Sequence, residues 1–486
     1  MPKNLWVLPL GLGVSAGLVG IMPSGNAYAA LCPAQLSSQL DAALNQPPLD
    51  TAYTGMVLQT QGQNSRPLYN RNGDRLFTPA SNGKLLTTAA ALHRLGADYR
   101  IRTSIYSTPG PAGSTALRVV GRGDPTLTDA QINSLAQQVA QAGVSQVSLL
   151  VVDDSYFPGF ATNPTWEWED VQFAYAAPVN SLILNRNAIA VQITPTQAGR
   201  PLSVVAARAL PAGPLAIAND SLTVAAGASA LPLSLGRTGD SPTLRVTGQM
   251  AQGAAMRTLN LAVLNPAQQF AAALGQALRQ QSVAVGQMVI TQNPTPVTGA
   301  ELASTVSPPV GELLVVANRD SDNLYAEVLL KTLGVRAGGT GEEASQAGGE
   351  AVKAALSELG VNALPLRVAD GSGLSRHNLV SPAAIAETLQ AMAVHPQGPV
   401  FRQSLAIAGQ SGTLSNRFGG TALEGRLQGK TGALTGNVSL SGYVQPPNYE
   451  PLVFSIVINH SNQPASLLRE KIDQLLLLVA QLQAEC

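Results

Sequence analysis

The sequence predicts an α/β chain, α+β in arrangement, whose main domain is split by a large β-rich insertion. Three observations predict it. A clean helical run, Lys84–Leu95, follows a pair of strand-like segments near the start. The last third holds three strand-like segments closed by a leucine-rich helical one. Between the two lie about two hundred residues of short β-rich stretches with Pro- and Gly-rich joints. The 486 residues suffice for two or three domains and a full core.

The elements are expected in the following order. Thr54–Thr60 and Arg66–Asn70 read as opening strands, and Lys84–Leu95, free of Gly and Pro, as a helix. From about residue 98 the text changes to Leu117–Val120, Val144–Val152, Ala188–Thr194, Leu202–Ala207 and Thr243–Thr247, all strand-like. Helical text returns at Gln268–Gln280 and Gly311–Leu333. Ala337–Gly341 reads as a plain loop, because a phosphate-binding loop would need a lysine there. Pro382–Met392 and Ser466–Gln483 read as helices, and Arg426–Lys430, Val438–Val444 and Leu452–Ile458 as strands.

Chemistry is concentrated in three short motifs. Ser81-Asn82-Gly83-Lys84 reads S-x-x-K, Ser321-Asp322-Asn323 reads S-D-N, and Lys430-Thr431-Gly432 reads K-T-G. The chain has only six lysines beside 23 arginines, so a chance K-T-G is expected roughly 0.03 times, at about average Thr and Gly usage. Each motif alone has a bland reading. Ser81 reads as a helix N-cap, Lys84 as a solvated first-turn lysine, S-D-N as a polar turn, and Lys430 as an exposed strand residue. The three together, in this order and these contexts, point to a serine nucleophile forming an acyl-enzyme. Ser81 and Lys84, three apart at a helix start, share a face. The positive helix end favours a developing oxyanion, and a buried lysine can act as a neutral base. Gly432 allows a substrate backbone to lie against the strand edge. The interval from Ser81 to Ser321 is 240 residues and that from Ser321 to Lys430 is 109. The second suits one domain; the first requires an insertion, expected at roughly residues 98–300.

Composition excludes other classes. Charged residues are 12%, net charge is zero and aromatics are 4%, so neither a basic patch nor a stacking platform for nucleic acid is expected. His93, His377, His395 and His460 lack metal-ligand spacing, and no metal or other cofactor is expected. His93, on a helix, reads as structural. Residues 1–29 read as an export signal: Lys3, an apolar run from Leu5 to Met22, and the small-residue site Ala27-Tyr28-Ala29. A membrane anchor is the alternative. Leu31 before Cys32 disfavours lipidation. The two cysteines, Cys32 and Cys486, favour a disulfide in an exported protein, with two free terminal thiols as the alternative.

Over nearly its whole length beyond the signal, the chain resembles the penicillin-binding protein 4-like family of D-alanyl-D-alanine carboxypeptidase/endopeptidases, the low-molecular-mass class C penicillin-binding proteins. The resemblance rests on Thr78–Leu85, Gly121–Leu127, Val152–Ser155, Asp370–Arg376 and Gly412-Thr413-Leu414. It implies a penicillin-recognising, serine transpeptidase/β-lactamase-like catalytic domain, an antiparallel sheet with helices on both faces. The domain's parts would be residues 30–97 and 301–486, with an inserted domain at 98–300 and a third nested within it at about 195–260. It implies peptidoglycan stem peptides as substrates, β-lactam antibiotics as covalent inhibitors, and a periplasmic or otherwise extracytoplasmic site of action. By resemblance Ser81 is the nucleophile, Lys84 its base, and Ser321 the relay to the leaving amine. Asn323 holds substrate amides, Lys430 and Thr431 receive the terminal carboxylate, and the N–H groups of Ser81 and Ala433 form the oxyanion hole. An acidic residue of the inserted domain helps receive the stem peptide; Asp153 and Asp154, near Phe157, Trp166 and Trp168, are the candidates, unless those aromatics merely pack a small β domain. Ala433 stands where many relatives carry Thr or Ser, which makes carboxypeptidase action less secure than acylation by penicillin or cross-link cleavage. The alternatives are a β-lactamase, disfavoured by the long first interval, and a non-catalytic cell-wall-binding module, disfavoured by intact Ser81, Lys84 and Lys430. A lipase-type elbow fails at Thr413.

Overall fold

The computed structural model describes residues 30–110, 114–237, 241–338 and 343–486. The expected signal, residues 1–29, lies outside them, as do residues 339–341 of the expected loop. The chain enters through α1 (Pro33–Leu44), with proline in the first turn, where its missing N–H costs nothing. An antiparallel pair, β1 (Tyr53–Thr60) and β2 (Pro67–Arg71), leads to α2 (Gly83–Leu95). Ser81 precedes α2 in a 3-10 turn, Ala80–Asn82. α2 is buried at every residue from Lys84 to Leu92, which marks a central helix rather than an amphipathic surface one.

The chain then leaves this domain through β3 (Arg102–Pro109), β4 (Thr115–Val120), α3 (Asp129–Gln141) and β5 (Gln146–Asp153). Short strands follow: β6 (Ala188–Thr194), β7 (Ser203–Ala206), β8 (Ile217–Asn219), β9 (Leu222–Val224), β10 (Ser234–Arg237), β11 (Leu244–Thr247), β12 (Gln249–Ala251) and β13 (Arg257–Ala262). α4 (Pro266–Gln280), β14 (Ala284–Thr291) and β15 (Ala300–Val306) complete the excursion. A five-stranded sheet in the order β14-β5-β4-β3-β15 is parallel around β5 and antiparallel around β3. Leu135, Val139, Phe270 and Leu274 of α3 and α4 share a core with Leu117, Val119 and Leu150 of this sheet.

The described chain divides into two compact units. Val191–Ala207 and Leu215–Leu259 belong to a small unit of short strands, with Leu235, Leu244, Val246 and Met250 buried. In it β8 runs parallel to β11 and β9 parallel to β12. The main unit comprises Leu31–Ala190, Arg208–Pro214 and Asn260–Cys486.

The returning chain forms α5 (Val310–Asn318), α6 (Asn323–Arg336), α7 (Ala344–Glu358), α8 (Pro382–Val394) and α9 (Gly398–Gln403). It ends in β16 (Ala406–Ile407), β17 (Leu427–Leu434), β18 (Asn437–Val444), β19 (Leu452–Asn459) and α10 (Ala465–Val479). A six-stranded sheet, β16-β17-β18-β19-β1-β2, is antiparallel throughout. Alternation along its strands feeds two cores. Val57, Tyr443 and Val453 pack with α2, α5, α6, α7 and α8. Met56, Leu58, Leu440, Phe454 and Ile456 pack with α1 and α10 on the opposite face. The main domain is thus an antiparallel sheet with helices on both faces.

Two expectations are corrected. The helical stretch expected over Gly311–Leu333 is broken at residues 319–322, where Ser321 takes φ +64 and Asp322 restarts the helix by accepting from the Tyr325 N–H at 3.2 Å. The terminal helix stops at Val479, not Gln483, and the tail folds back so that the Gln483 N–H reaches Leu31 O at 3.1 Å. Cys32 and Cys486 are joined there by a disulfide, their Cα atoms 5.8 Å apart.

Candidate active site

The sequence places Ser81 on a turn that two sheet residues, Asn459 and Ser439, pin down. Asn459 accepts from the Thr78 N–H at 2.8 Å and donates to Thr78 O at 3.1 Å. Ser439 Oγ donates to Pro79 O at 2.8 Å. Ala80 takes φ +49, a conformation that bulkier side chains rarely adopt and that turns the chain sharply into Ser81. Behind the turn, the Asn82 amide donates to Lys430 O at 2.7 Å and accepts from Ser441 Oγ at 2.6 Å. The S-x-x-K and K-T-G segments are therefore locked together across the sheet edge.

Lys84 is fully buried, not solvated. Its Nζ has three oxygen partners: Asn323 Oδ1 at 2.6 Å, Ser372 O at 2.7 Å and Ser81 Oγ at 2.9 Å. Burial lowers its pKa to about 8, against the opposing pull of Asp370, Glu327 and Asp322. A neutral lysine has two N–H bonds and one lone pair. Asn323 Oδ1 and Ser372 O can only accept, so they take both hydrogens and leave the lone pair facing the Ser81 hydroxyl. This is the geometry of a general base on a serine nucleophile.

Lys430 is likewise buried, not exposed, and donates to Ser321 Oγ at 2.8 Å and to Thr431 O at 2.7 Å. Burial first, and the Lys84 charge second, push its pKa well below the ordinary lysine value. Thr431 Oγ1 bonds Thr413 Oγ1 at 2.8 Å, which brings the Gly412-Thr413-Leu414 block into the site. Gly412, at φ +57, packs so closely on Arg319 O that a Cβ would stand 2.4 Å from it. At Gly432 a Cβ would sit 2.9 Å from Ser81 N, so only glycine leaves room beside the nucleophile. Ala433 is exposed at the end of this strip.

The structure thus brings Ser81, Lys84, Ser321, Asn323, Lys430, Thr431 and Gly432 into one constellation, with Ala433 beside it. It also uses Ser372, which sequence reasoning did not single out beyond its place in the Asp370–Arg376 block. Asn323 is engaged on both sides, since Nδ2 donates to Tyr175 O at 2.7 Å. The segment carrying Tyr175 therefore forms one wall of the site.

Asp153 and Asp154, the acidic candidates of the inserted segment, lie away from open surface. Both are buried and committed elsewhere. Asp153 Oδ2 takes two donors from Arg118, at 2.9 and 2.5 Å, while Oδ1 holds the Ser155 turn. Asp154 accepts from the Asn180 side chain at 2.8 Å and the Ser181 N–H at 2.9 Å, and burial pushes its pKa up to about 6. Of the neighbouring aromatics, Phe157 and Trp166 are packing residues, Trp166 Nε1 donating to Asp370 at 2.9 Å. Trp168 is 63% exposed and Tyr175 46% exposed.

The D-Ala-D-Ala carboxypeptidase 3 (S13) family matches residues 36–481. The chain belongs to this family. It is a serine peptidase, a hydrolase of the penicillin-binding type. The chain is 37% identical over 450 residues to a D-alanyl-D-alanine carboxypeptidase of Actinomadura sp., covering 89% of this chain and 82% of that protein. It is 28% identical over 447 residues to penicillin-sensitive carboxypeptidase A of Dictyostelium discoideum, covering 85% and 83%. The crystal structure of penicillin binding protein 4 from Haemophilus influenzae superposes with a TM-score of 0.79 at 25% identity, covering 90% of this chain and 97% of that one. That protein has also been solved with a β-lactam bound, and that complex superposes with a TM-score of 0.74. Within the S13 chain, the match spans the elements that carry all three motifs and the excursion between them.

Proposed function

We propose that this S13 enzyme hydrolyses peptidoglycan stem peptides ending in D-Ala-D-Ala, and the cross-links made from them, through an ester on Ser81. The observation that carries the reading is the Lys84 amine held 2.9 Å from Ser81 Oγ by two acceptor-only oxygens. Ser81 Oγ attacks the acyl carbon as its proton passes to Lys84. The N–H groups of Ser81 and Ala433 hold the oxyanion, and Gly432 gives the acyl group access to them. Lys430 and Thr431 attract the terminal carboxylate. The proton taken up by Lys84 is passed on through the Ser321 hydroxyl, held by Lys430, to the departing amine, so C–N cleavage leaves Ser81 acylated, the amine neutral and Lys84 free of its proton. Water then attacks the ester with Lys84 again as base, releasing the acid and restoring the serine. β-Lactams enter the same first step and stay attached, because ring opening retains the leaving amine.

The family and the terminal disulfide favour action outside the cytoplasm, and residues 1–29 are proposed as the export signal. Exposed Tyr175, whose carbonyl accepts from Asn323, and exposed Trp168 on the same segment are proposed as the surface that receives the stem peptide, in place of Asp153 and Asp154. Incubation with purified cross-linked muropeptides tests the function. Mass spectrometry is expected to find loss of terminal D-Ala or conversion of dimers to monomers, in the wild type and not in Ser81→Ala. Unchanged muropeptides under conditions where penicillin still acylates the protein would contradict it.

A further inference from the structure

Beneath Lys84 lies a support that none of the three motifs contains. Glu327 follows Asn323 by one turn of α6, on the same helix face. It is 1% exposed, and its Oε1 accepts the Ser372 N–H at 2.8 Å. The carbonyl of that same Ser372 is the oxygen that accepts from Lys84 Nζ at 2.7 Å. One residue thus hangs between Glu327 at its nitrogen and Lys84 at its oxygen. Asp370 rigidifies the rest of the turn, accepting from the Ser375 N–H at 2.6 Å, the Gly373 N–H at 2.7 Å and Asn378 Nδ2 at 2.7 Å. Gly373, at φ +79, lies against the residue before the nucleophile: a Cβ there would be 1.8 Å from Ala80 O. The Ser372 carbonyl shares a planar peptide with the Gly373 N–H, which Asp370 holds, and Glu327 holds the preceding peptide at the Ser372 N–H, so the two carboxylates together set the direction of that carbonyl.

We propose that Glu327 is a positioning residue for proton transfer from Ser81 to Lys84, fixing the Ser372 carbonyl so that the lysine lone pair faces Ser81 Oγ. The proposal rests on the reading of Lys84 as the base. Without the Glu327 acceptor, a buried N–H loses its partner, and the Gly371–Ser372 peptide must turn to find another, which strains the adjoining Ser372 carbonyl away from Lys84. The lysine then loses one of the two oxygens that orient it.

Charge adds a second consequence. The ionisable groups facing this pair are Asp322, Glu327 and Lys331 on α6, Asp370 on the turn, Lys84 on α2 and Lys430 on β17. Burial and the neighbouring Asp370 push the Glu327 carboxyl up to about 7, against hydrogen bonds from Ser372 and Gly371. Above that pH its negative charge favours the protonated form of Lys84. A neutral side chain of the same shape lets Lys84 lose its proton at lower pH, so the acid limb of the acylation profile moves down.

The test measures the second-order rate of acylation by a fluorescent penicillin from about pH 5 to about pH 10, alongside thermal unfolding. Glu327→Gln keeps an acceptor oxygen for Ser372; it is expected to hold its plateau rate within about threefold of the wild type and to shift the acid limb to lower pH. Glu327→Leu removes the acceptor and is expected to lose at least about tenfold at every pH. An unmoved acid limb in Glu327→Gln, or wild-type rates in Glu327→Leu, would overturn the proposal. If Glu327→Leu does not fold, the Glu327→Gln profile decides alone. Lys84→Ala, run in parallel, separates the two readings. Wild-type acylation by that variant removes the lysine base itself, whereas its loss together with an unmoved Glu327→Gln limb removes only the role of Glu327.

Discussion

Lys430 Nζ donates to Ser321 Oγ at 2.8 Å across 109 residues of sequence. In the proposed mechanism this pair passes the proton to the departing amine. Ser321→Ala breaks the relay and leaves Lys430 without its hydroxyl partner. We expect kcat/KM for stem-peptide hydrolysis to fall by about 10²-fold or more, the usual range for loss of a positioned proton donor. Steady-state kinetics on a D-Ala-D-Ala peptide check it; a change under about threefold would mean that protons reach the amine another way.

The pH dependence follows from Lys84. Acylation requires its neutral form, and its pKa is lowered to about 8 by burial. The rate therefore rises with pH through that value and falls about tenfold per unit below it, since each unit reduces the neutral fraction tenfold. Stopped-flow acylation by a chromogenic penicillin is expected to show an acid limb with its midpoint near 8. A flat profile across that range would remove the lysine base.

Ala433 bears on substrate preference. A D-Ala-D-Ala terminus presents a free carboxylate, and a hydroxyl at this exposed position would add one charge-assisted hydrogen bond, worth roughly 1.5–3 kcal/mol at most. A cross-linked dimer gains binding from its remaining branches, so the extra bond matters less there. Ala433→Thr is therefore expected to raise kcat/KM on short D-Ala-D-Ala peptides more than on dimers. Equal gains, or a larger gain on the dimer, would show that Ala433 does not set the preference.

The Cys32–Cys486 disulfide closes a loop of 454 residues. Constraint of the unfolded chain alone suggests a stabilisation of up to about 5 kcal/mol. Cys32→Ser is expected to lower the midpoint of denaturant unfolding while leaving penicillin acylation of the folded protein unchanged. An unchanged midpoint would mean that the bond adds nothing to stability.

Much of the site was legible because its residues are rare and ordered. With six lysines in the chain, Lys84 and Lys430 stand out in the sequence itself. The strands of the six-stranded sheet were legible from their apolar runs, and α4 and α8 from helical periodicity. What failed were features set by distant partners. The helix break at Ser321 looks like continuous helical text, because Asp322 and Asn323 are equally at home in a polar turn or a helix start. Glu327 sits in the run Tyr325–Leu330 and belongs to none of the three motifs. Its hydrogen-bond partner, the Ser372 N–H, lies 45 positions away. Asp153 and Asp154 are candidates through the resemblance, which implies an acidic residue of the inserted domain at the stem peptide. The pairing of β4 with β5 instead puts Arg118 within reach of Asp153, and the Asn180-Ser181 loop closes over Asp154.

The central claim is that Ser81 is the residue acylated. The most direct measurement is incubation with labelled penicillin followed by peptide mapping, in the wild type and in Ser81→Ala. We predict one labelled peptide containing Ser81, and no label on the variant although it remains folded. Label on any other serine, or undiminished labelling of Ser81→Ala, would contradict the account.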